Sequence, residues 1–164
     1  MPATASISRR NLLKGRTVAP PFQPRPPGVT LASVASCTGC GDCVTACPQQ
    51  ILQLRDSKVA LLPASGECTF CGECAAACPE PVFTEIRVMA HVATISDDCL
   101  AMAGITCMSC RDACPEVAIT MRPRVGGPFL PVLDRSTCTG CGACIAPCPS
   151  DAIGFIEREY ADEG

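Results

Sequence analysis

The chain has few aromatic residues and almost no histidine. Aromatic residues make up only 4% of its 164 residues, with no tryptophan and a single tyrosine. The interior therefore cannot depend on stacked aromatic rings, and something else must hold it together. The single histidine, His91, excludes Cys₂His₂ zinc sites and argues against a His-centred catalytic triad. We expect His91 to be a packing or surface residue and not a metal ligand.

Long apolar runs and the common catalytic motifs are also absent. No run approaches the ~18 apolar residues that a membrane-spanning helix needs. The chain has no P-loop, no G-x-G-x-x-G dinucleotide motif and no G-x-S-x-G nucleophile elbow. With no candidate set of residues for substrate chemistry, we expect that the protein is not an enzyme.

Acidic residues are missing from the first 30 positions. This segment holds five basic residues and the five prolines between Pro20 and Pro27, whereas residues 31–164 hold 8 basic and 16 acidic side chains. We expect residues 1–30 to form a basic, proline-rich arm, extended and solvated, in front of an acidic body. Basic charge confined to a tail is not typical of a nucleic-acid-binding domain.

The stretch Ser8–Lys14 is similar to a twin-arginine export signal. Such a signal needs an apolar region of roughly 7–15 residues after the arginines. Here residues 15–21 are interrupted by Arg16 and two prolines. We therefore expect the arm to be retained on a cytoplasmic protein.

Cysteine is the abundant residue, and all 16 cysteines fall into four repeated units. Units 1, 2 and 4 follow the pattern C-x₂-C-x₂-C-x₃-C-P, whereas unit 3 has seven residues between its first two cysteines. The units are, in order, Cys37, Cys40, Cys43 and Cys47; Cys68, Cys71, Cys74 and Cys78; Cys99, Cys107, Cys110 and Cys114; and Cys138, Cys141, Cys144 and Cys148.

This spacing is typical of [4Fe–4S] ligands. Three cysteines in one tight loop can reach three iron atoms, and the fourth cysteine of the unit ligates the other cluster of a two-cluster module. A disulfide framework has no use for closely spaced cysteine triplets, and zinc sites use pairs of C-x₂-C. The sequence therefore predicts four [4Fe–4S] clusters with all sixteen cysteines as ligands. Cys99 is the most displaced of them.

The units can be paired in two ways. Consecutive pairing joins unit 1 with unit 2 and unit 3 with unit 4, whereas nested pairing joins unit 1 with unit 4 around units 2 and 3. The connections between units have similar lengths, so length does not decide between them. We favour consecutive pairing, with a first ferredoxin-like module over residues 31–92 and a second over residues 93–164.

Short apolar runs separate the units. Residues 51–62 contain two apolar runs around a polar turn, which predicts a β-hairpin. Similar runs predict hairpins over residues 82–95 and 118–133, the latter turning at Gly126 and Gly127. The expected fold class is α+β: tandem two-cluster ferredoxin modules of short hairpins and helical turns around the clusters.

The four units together with the arm residues Ser8, Arg9, Arg10, Leu12, Leu13, Gly15 and Arg16 resemble the ferredoxin-type NapF family of periplasmic nitrate reductase operons. The long first spacing of unit 3 is part of that resemblance. The resemblance implies a cytoplasmic four-cluster protein whose partner is the catalytic molybdenum subunit of nitrate reductase before export. It also implies a role in fitting or reducing the iron–sulfur cluster of that subunit.

Two functions remain open. One is a maturation accessory that docks on a client through its basic arm, and the other is an electron-transfer subunit of another redox complex, such as a hydrogenase. A mobile basic arm favours the first. The residues themselves support only the shared part, a one-electron carrier.

Overall fold

The computed structural model describes residues 22–85 and 89–158 of the chain. Regular elements in these ranges are short. They include three one-turn α-helices and six strands: α1 Asp42–Thr45, β1 Leu52–Arg55, β2 Lys58–Leu61, α2 Glu73–Ala76, β3 His91–Ile95, α3 Ser109–Asp112, β4 Ile119–Arg122, β5 Leu130–Leu133 and β6 Ile153–Glu157. Two 3₁₀ turns lie at Ser33–Ser36 and Pro63–Ser65. The predicted α+β class is confirmed.

Two of the three predicted hairpins are present. Strands β1 and β2 pair antiparallel around Asp56 and Ser57, both with positive φ as a tight two-residue hairpin turn requires. Strands β4 and β5 also pair antiparallel, and their connection contains the predicted glycine turn. Each hairpin buries its apolar face beside the cysteines of the preceding unit, with Val59 in the first and Ile119 in the second almost fully buried.

The predicted hairpin over residues 82–95 is wrong. No strand forms over Val82–Glu85, and β3 pairs antiparallel with β6, from His91 opposite Glu157 to Ile95 opposite Ile153. The apolar pattern identifies β3 as a strand but does not encode its partner. As a result the residues after unit 2 share a sheet with the residues after unit 4.

The expectation of a solvated segment through Pro27 is also wrong. Residues 22–28, called the strap below, pack on the body. The carbonyl oxygen of Pro24 accepts a hydrogen bond from the Leu61 N–H at 2.8 Å, and Pro26 is fully buried. The Phe22 ring lies 5.9 Å from the His91 ring, edge-on. The remainder of the predicted arm, residues 1–21, lies outside the described residues.

Two main apolar clusters form the core. The first surrounds the cysteines of units 1 and 2 and includes Ile51, Val59 and Met89. The second surrounds cysteines of units 3 and 4 and includes Val92 and Ile119. Cysteine side chains are members of both clusters, so each core is built around them.

Candidate metal centres

The cysteines line four separate cavities, four to a cavity. Site 1 is formed by Cys37, Cys40, Cys43 and Cys78. Site 2 is formed by Cys47, Cys68, Cys71 and Cys74. Site 3 is formed by Cys114, Cys138, Cys141 and Cys144. Site 4 is formed by Cys99, Cys107, Cys110 and Cys148. This grouping is the consecutive one. Sites 1 and 2 combine cysteines of units 1 and 2, and sites 3 and 4 combine cysteines of units 3 and 4, with three cysteines from one unit and the fourth from the other.

A one-turn helix in units 1, 2 and 3, and a hydrogen-bonded turn in unit 4, separates the third cysteine from the fourth. In unit 1, Cys43 lies in α1 and lines site 1, while Cys47 follows the helix and lines site 2. In unit 3, Cys110 lies in α3 and lines site 4, while Cys114 lines site 3. A spacing of four residues would place both side chains on one helix face, and ending the helix between them directs the fourth cysteine to the other cavity.

The displaced Cys99 reaches its cavity because the insertion in unit 3 folds into a compact turn. The N–H groups of Met102 and Ala103 both donate to the Cys99 carbonyl oxygen, at 2.9 and 3.1 Å, and Ala101 is fully buried beneath the turn. Cys99 itself is buried and lines site 4 with Cys107. The seven intervening residues therefore form a loop that leaves the four-cysteine site complete.

Burial and the neighbouring cysteines oppose ionisation of the thiols in these cavities. Burial, and after it the neighbouring Cys138 and Cys141 thiols, raise the pKa of Cys144 to about 12. Burial and then the Cys68 thiol raise the pKa of Cys74 to about 11. Four thiolates in such a cavity need a compensating positive charge at its centre. A cationic iron–sulfur core supplies that charge, so the donor set fits the predicted group.

The side chains also fit a cluster better than disulfides or zinc. None of the sixteen cysteines is paired in a disulfide. Within the described residues, no three His, Cys, Asp or Glu side chains converge closely enough to hold a single ion. The thiols of each site surround a cavity instead, as the ligands of a multi-atom cluster do.

Site 3 holds a hydroxyl without a partner. Thr139 lines this cavity, and its Oγ1 is buried and makes no hydrogen bond. Among the described residues, the only other buried side-chain nitrogen or oxygen atom without a hydrogen bond is Nδ1 of His91. Buried polar groups are nearly always satisfied. An acceptor inside the cavity, such as a cluster sulfur, would satisfy Thr139. The Ala93 N–H points to the same site and donates to the Cys138 sulfur at 3.5 Å.

Two cations hold the loops that begin units 1 and 4. The Lys58 ammonium donates to the carbonyl oxygens of Cys37, at 2.7 Å, and Ala35, at 3.0 Å. The Arg158 guanidinium donates to the carbonyl oxygens of Cys138, at 2.7 Å, and Met89, at 3.2 Å. Lys58 and Arg158 lie 21 and 20 residues after the cysteines whose carbonyl groups they hold, so spacing within the units could not reveal them.

His91 is a packing residue, as expected. It is fully buried, its Nε2 lies 3.1 Å from the Gly140 carbonyl oxygen, and its ring lies 4.2 Å from the Phe155 ring. A side chain at Gly140 would meet the His91 backbone, because a Cβ there would lie 2.5 Å from the His91 oxygen. Burial is the main cause that lowers the pKa of His91 to about 4. His91 therefore supports the loop of site 3 in its neutral form.

The two modules differ in exposure. Cys40 of site 1 and Cys71 of site 2 are exposed, whereas every cysteine of sites 3 and 4 is buried or half-buried. Solvent reaches the first two sites more easily, and exposure is one of the factors that set cluster potentials.

Comparison with known proteins agrees with this architecture. Residues 36–82 and 105–152 each match the 4Fe-4S dicluster domain family. The chain is 43% identical over 123 residues to the ferredoxin-type protein NapF of Haemophilus influenzae, an alignment that covers 73% of this chain and 70% of the relative. The chain belongs to the ferredoxin-type NapF family. Its resemblance to that family, seen first in the cysteine units, is thus confirmed, and with it the identification as an iron–sulfur protein.

Other relatives extend the similarity over most of the chain. The ferredoxin-type protein NapF of Escherichia coli K12 is 39% identical over 151 residues, covering 89% of this chain and 92% of the relative. The methylamine utilization ferredoxin-type protein MauM of Methylophilus methylotrophus is 32% identical over 163 residues, covering 82% of this chain and 71% of that protein. Two dicluster domains and sixteen cysteines are consistent with four [4Fe–4S] clusters.

Helices in the described ranges are all too short to cross a membrane.

Proposed function

We propose that this NapF-family protein is a cytoplasmic one-electron carrier that assists maturation of the catalytic subunit of periplasmic nitrate reductase before export. The sixteen cysteines hold its four clusters in the groups defined as sites 1–4. The observation that carries the proposal is the set of four four-cysteine cavities in a chain of this family. The family resemblance supplies the client.

In this proposal the chain has three parts. A basic arm over residues 1–30 precedes two modules, 31–92 and 93–164, and one matched dicluster domain lies within each module. The strap, residues 22–28, is the portion of the arm that packs on the body. The basic residues ahead of it, Arg9, Arg10, Lys14 and Arg16, are the portion that docks on the client.

Each cluster, when bound, accepts and returns one electron. The chain's own residues provide the surroundings. Buried thiols and apolar cores exclude water from sites 3 and 4, while Lys58 and Arg158 place positive charge beside the loops of sites 1 and 3. The exposed Cys40 and Cys71 mark the module where a redox partner can approach most closely. No residue set for substrate chemistry is needed, so we propose a carrier and not an enzyme.

The test is anaerobic purification of the tagged full-length protein from nitrate-grown cells, with bound proteins identified by mass spectrometry. We expect recovery of the leader-bearing catalytic subunit, and loss of that subunit with a variant that lacks residues 1–20. The cut precedes Phe22 because the strap contributes buried contacts. A matched control replaces Arg55, an exposed cation of the body, with glutamine and should retain the subunit.

The second candidate function is an electron-transfer subunit of another redox complex. The similarity to a ferredoxin-type protein of methylamine utilization supports this second candidate, because that relative is named for a different redox system. Recovery of a stoichiometric complex with a different oxidoreductase, and no nitrate reductase precursor, would establish this second function and contradict the first.

A further inference from the structure

Sites 2 and 3, which belong to different modules, meet through the backbones of two of their cysteines. The N–H of Cys68, which lines site 2, donates to the carbonyl oxygen of Cys141, which lines site 3, at 2.9 Å. The two sites therefore share a direct backbone contact across the module boundary.

A side chain added beside this contact would fit tightly against both modules. Gly142 follows Cys141, and a Cβ there would lie 3.1 Å from the Pro63 Cβ and 3.4 Å from the Phe155 Cζ. Pro63 belongs to the first module, in the 3₁₀ turn that leads into unit 2. Gly41 holds the matching position in unit 1, with the same φ of +89°, yet nothing lies within 4 Å of its Cβ position. The close approach therefore belongs to the module contact and not to the cysteine motif.

Within each module the sites are already connected by single helical turns. The α1 turn of the first module joins Cys43 of site 1 to Cys47 of site 2. The α3 turn of the second joins Cys110 of site 4 to Cys114 of site 3. In the order of these connections, sites 2 and 3 are the inner members and sites 1 and 4 the outer members.

We propose that the hydrogen bond from Cys68 to Cys141 joins the two modules into one electron path in the order site 1, site 2, site 3, site 4. One electron crosses the contact, so that one inner site is oxidised by one electron and the other reduced, with no atom or proton transferred. Hydrogen-bonded ligand backbones give this step a continuous covalent and hydrogen-bonded route. The inference rests on the proposed function, because it requires clusters in both inner sites.

The first experiment measures hydrogen exchange of the Cys68 amide in the reconstituted full-length protein. We expect this amide to be protected, and to exchange about tenfold faster in Gly142→Ala, since a Cβ at position 142 would press on Pro63 and Phe155 and strain the adjoining Cys141 carbonyl. Gly41→Ala carries the same positive-φ strain without a tight contact. The Cys68 amide of this variant should exchange at the wild-type rate. An unprotected Cys68 amide in the wild-type holoprotein would overturn the proposal whatever the variants do.

The second experiment follows the electron itself. A flash-photoreduced flavin delivers less than one electron per molecule, and freeze-quench EPR follows the spectrum as it relaxes to its final distribution. We expect a phase of this spectral relaxation whose rate does not depend on protein concentration. Its rate should be severalfold lower in Gly142→Ala than in Gly41→Ala. Equal rates in the two variants, both with full iron content, would refute the path.

Pro63→Gly is the second variant, because it loosens the same contact from the first module without altering unit 4. It should also slow the electron-transfer phase. An unchanged electron-transfer rate, together with faster hydrogen exchange of the Cys68 amide, would count against the proposal. Iron content and the EPR spectrum of the reduced wild type test the four clusters separately. A protein with fewer clusters contradicts the proposed function, whereas four clusters without this phase contradict only the path.

Discussion

Lys58 donates a hydrogen bond of 2.7 Å to the carbonyl oxygen of Cys37 and so places an ammonium group beside site 1. Reduction adds a negative charge to a cluster, and a nearby cation stabilises the reduced state. We expect Lys58→Met to lower the potential of the site 1 cluster by on the order of 50 mV, measured by EPR-monitored redox titration. Arg55 pairs with Lys58 across the same hairpin, and Arg55→Met is the matched control. An equal shift in both variants would show that general surface charge sets the potential.

Thr139 gives a second prediction about potentials. If its buried hydroxyl donates to a cluster sulfur, Thr139→Val removes that donor and lowers the site 3 potential by on the order of 50 mV, while Thr139→Ser retains most of it. Thr38 holds the same position in unit 1 but is exposed, so Thr38→Val should shift its own site much less. The same redox titration measures all three variants. A site 3 potential that is unaffected by Thr139→Val would exclude the hydrogen bond.

Cys99→Ser should remove one cluster and leave three. Cys99 lines site 4 from across the insertion. If it is a cluster ligand, as proposed, iron per chain should fall by about a quarter, with sites 1 and 2 retaining their EPR signals. Met102→Ser lies in the same loop, is exposed, and should keep full iron content. Unchanged iron in Cys99→Ser would mean that unit 3 does not use this cysteine.

Acid should weaken the structure around site 3 through His91. Its pKa is about 4 in the fold against an ordinary 6.5, so the unfolded chain binds the proton more tightly. The neutral imidazole therefore stabilises the fold fully above about pH 6.5, and this contribution is lost as the pH falls towards 4, by about 2 kcal/mol at pH 5.

The measurement for His91 is the rate at which the visible cluster absorbance decays between pH 7 and pH 5. In His91→Gln the decay should be faster at pH 7, because packing against Phe155 is lost, but should depend less on pH. The same pH dependence in both proteins would assign the acid sensitivity to other groups.

The cysteine units allowed much of the site to be predicted from the sequence, because their ligand spacing is a local property. The hairpin around Asp56 and Ser57 is equally local, since a two-residue polar turn between apolar runs sets its own register. The apolar pattern identifies β3 as a strand, but its partner β6 begins 58 residues after the end of β3. A local pattern of apolar residues does not encode such a distant partner.

The strap and the two loop-holding cations were missed for a related reason. Proline content indicates an extended backbone, and the strap is extended, but only the fold shows that Pro26 is buried and that Pro24 bonds to Leu61. Lys58 and Arg158 look like ordinary surface charges in the sequence. Their roles depend on which carbonyl groups the folded chain brings near them.

The pairing of β3 with β6 has a consequence for the order in which a growing chain can assemble. Sites 1 and 2 have all their cysteines once residue 78 has been synthesised, and the β1–β2 hairpin beside them is complete by then. Sites 3 and 4 wait for Cys148, and the sheet that closes over them waits for Ile153–Glu157, almost at the end of the chain. Because domains fold as units with the N-terminal one first, the cysteine sites of the first module can be complete while the second is still being synthesised.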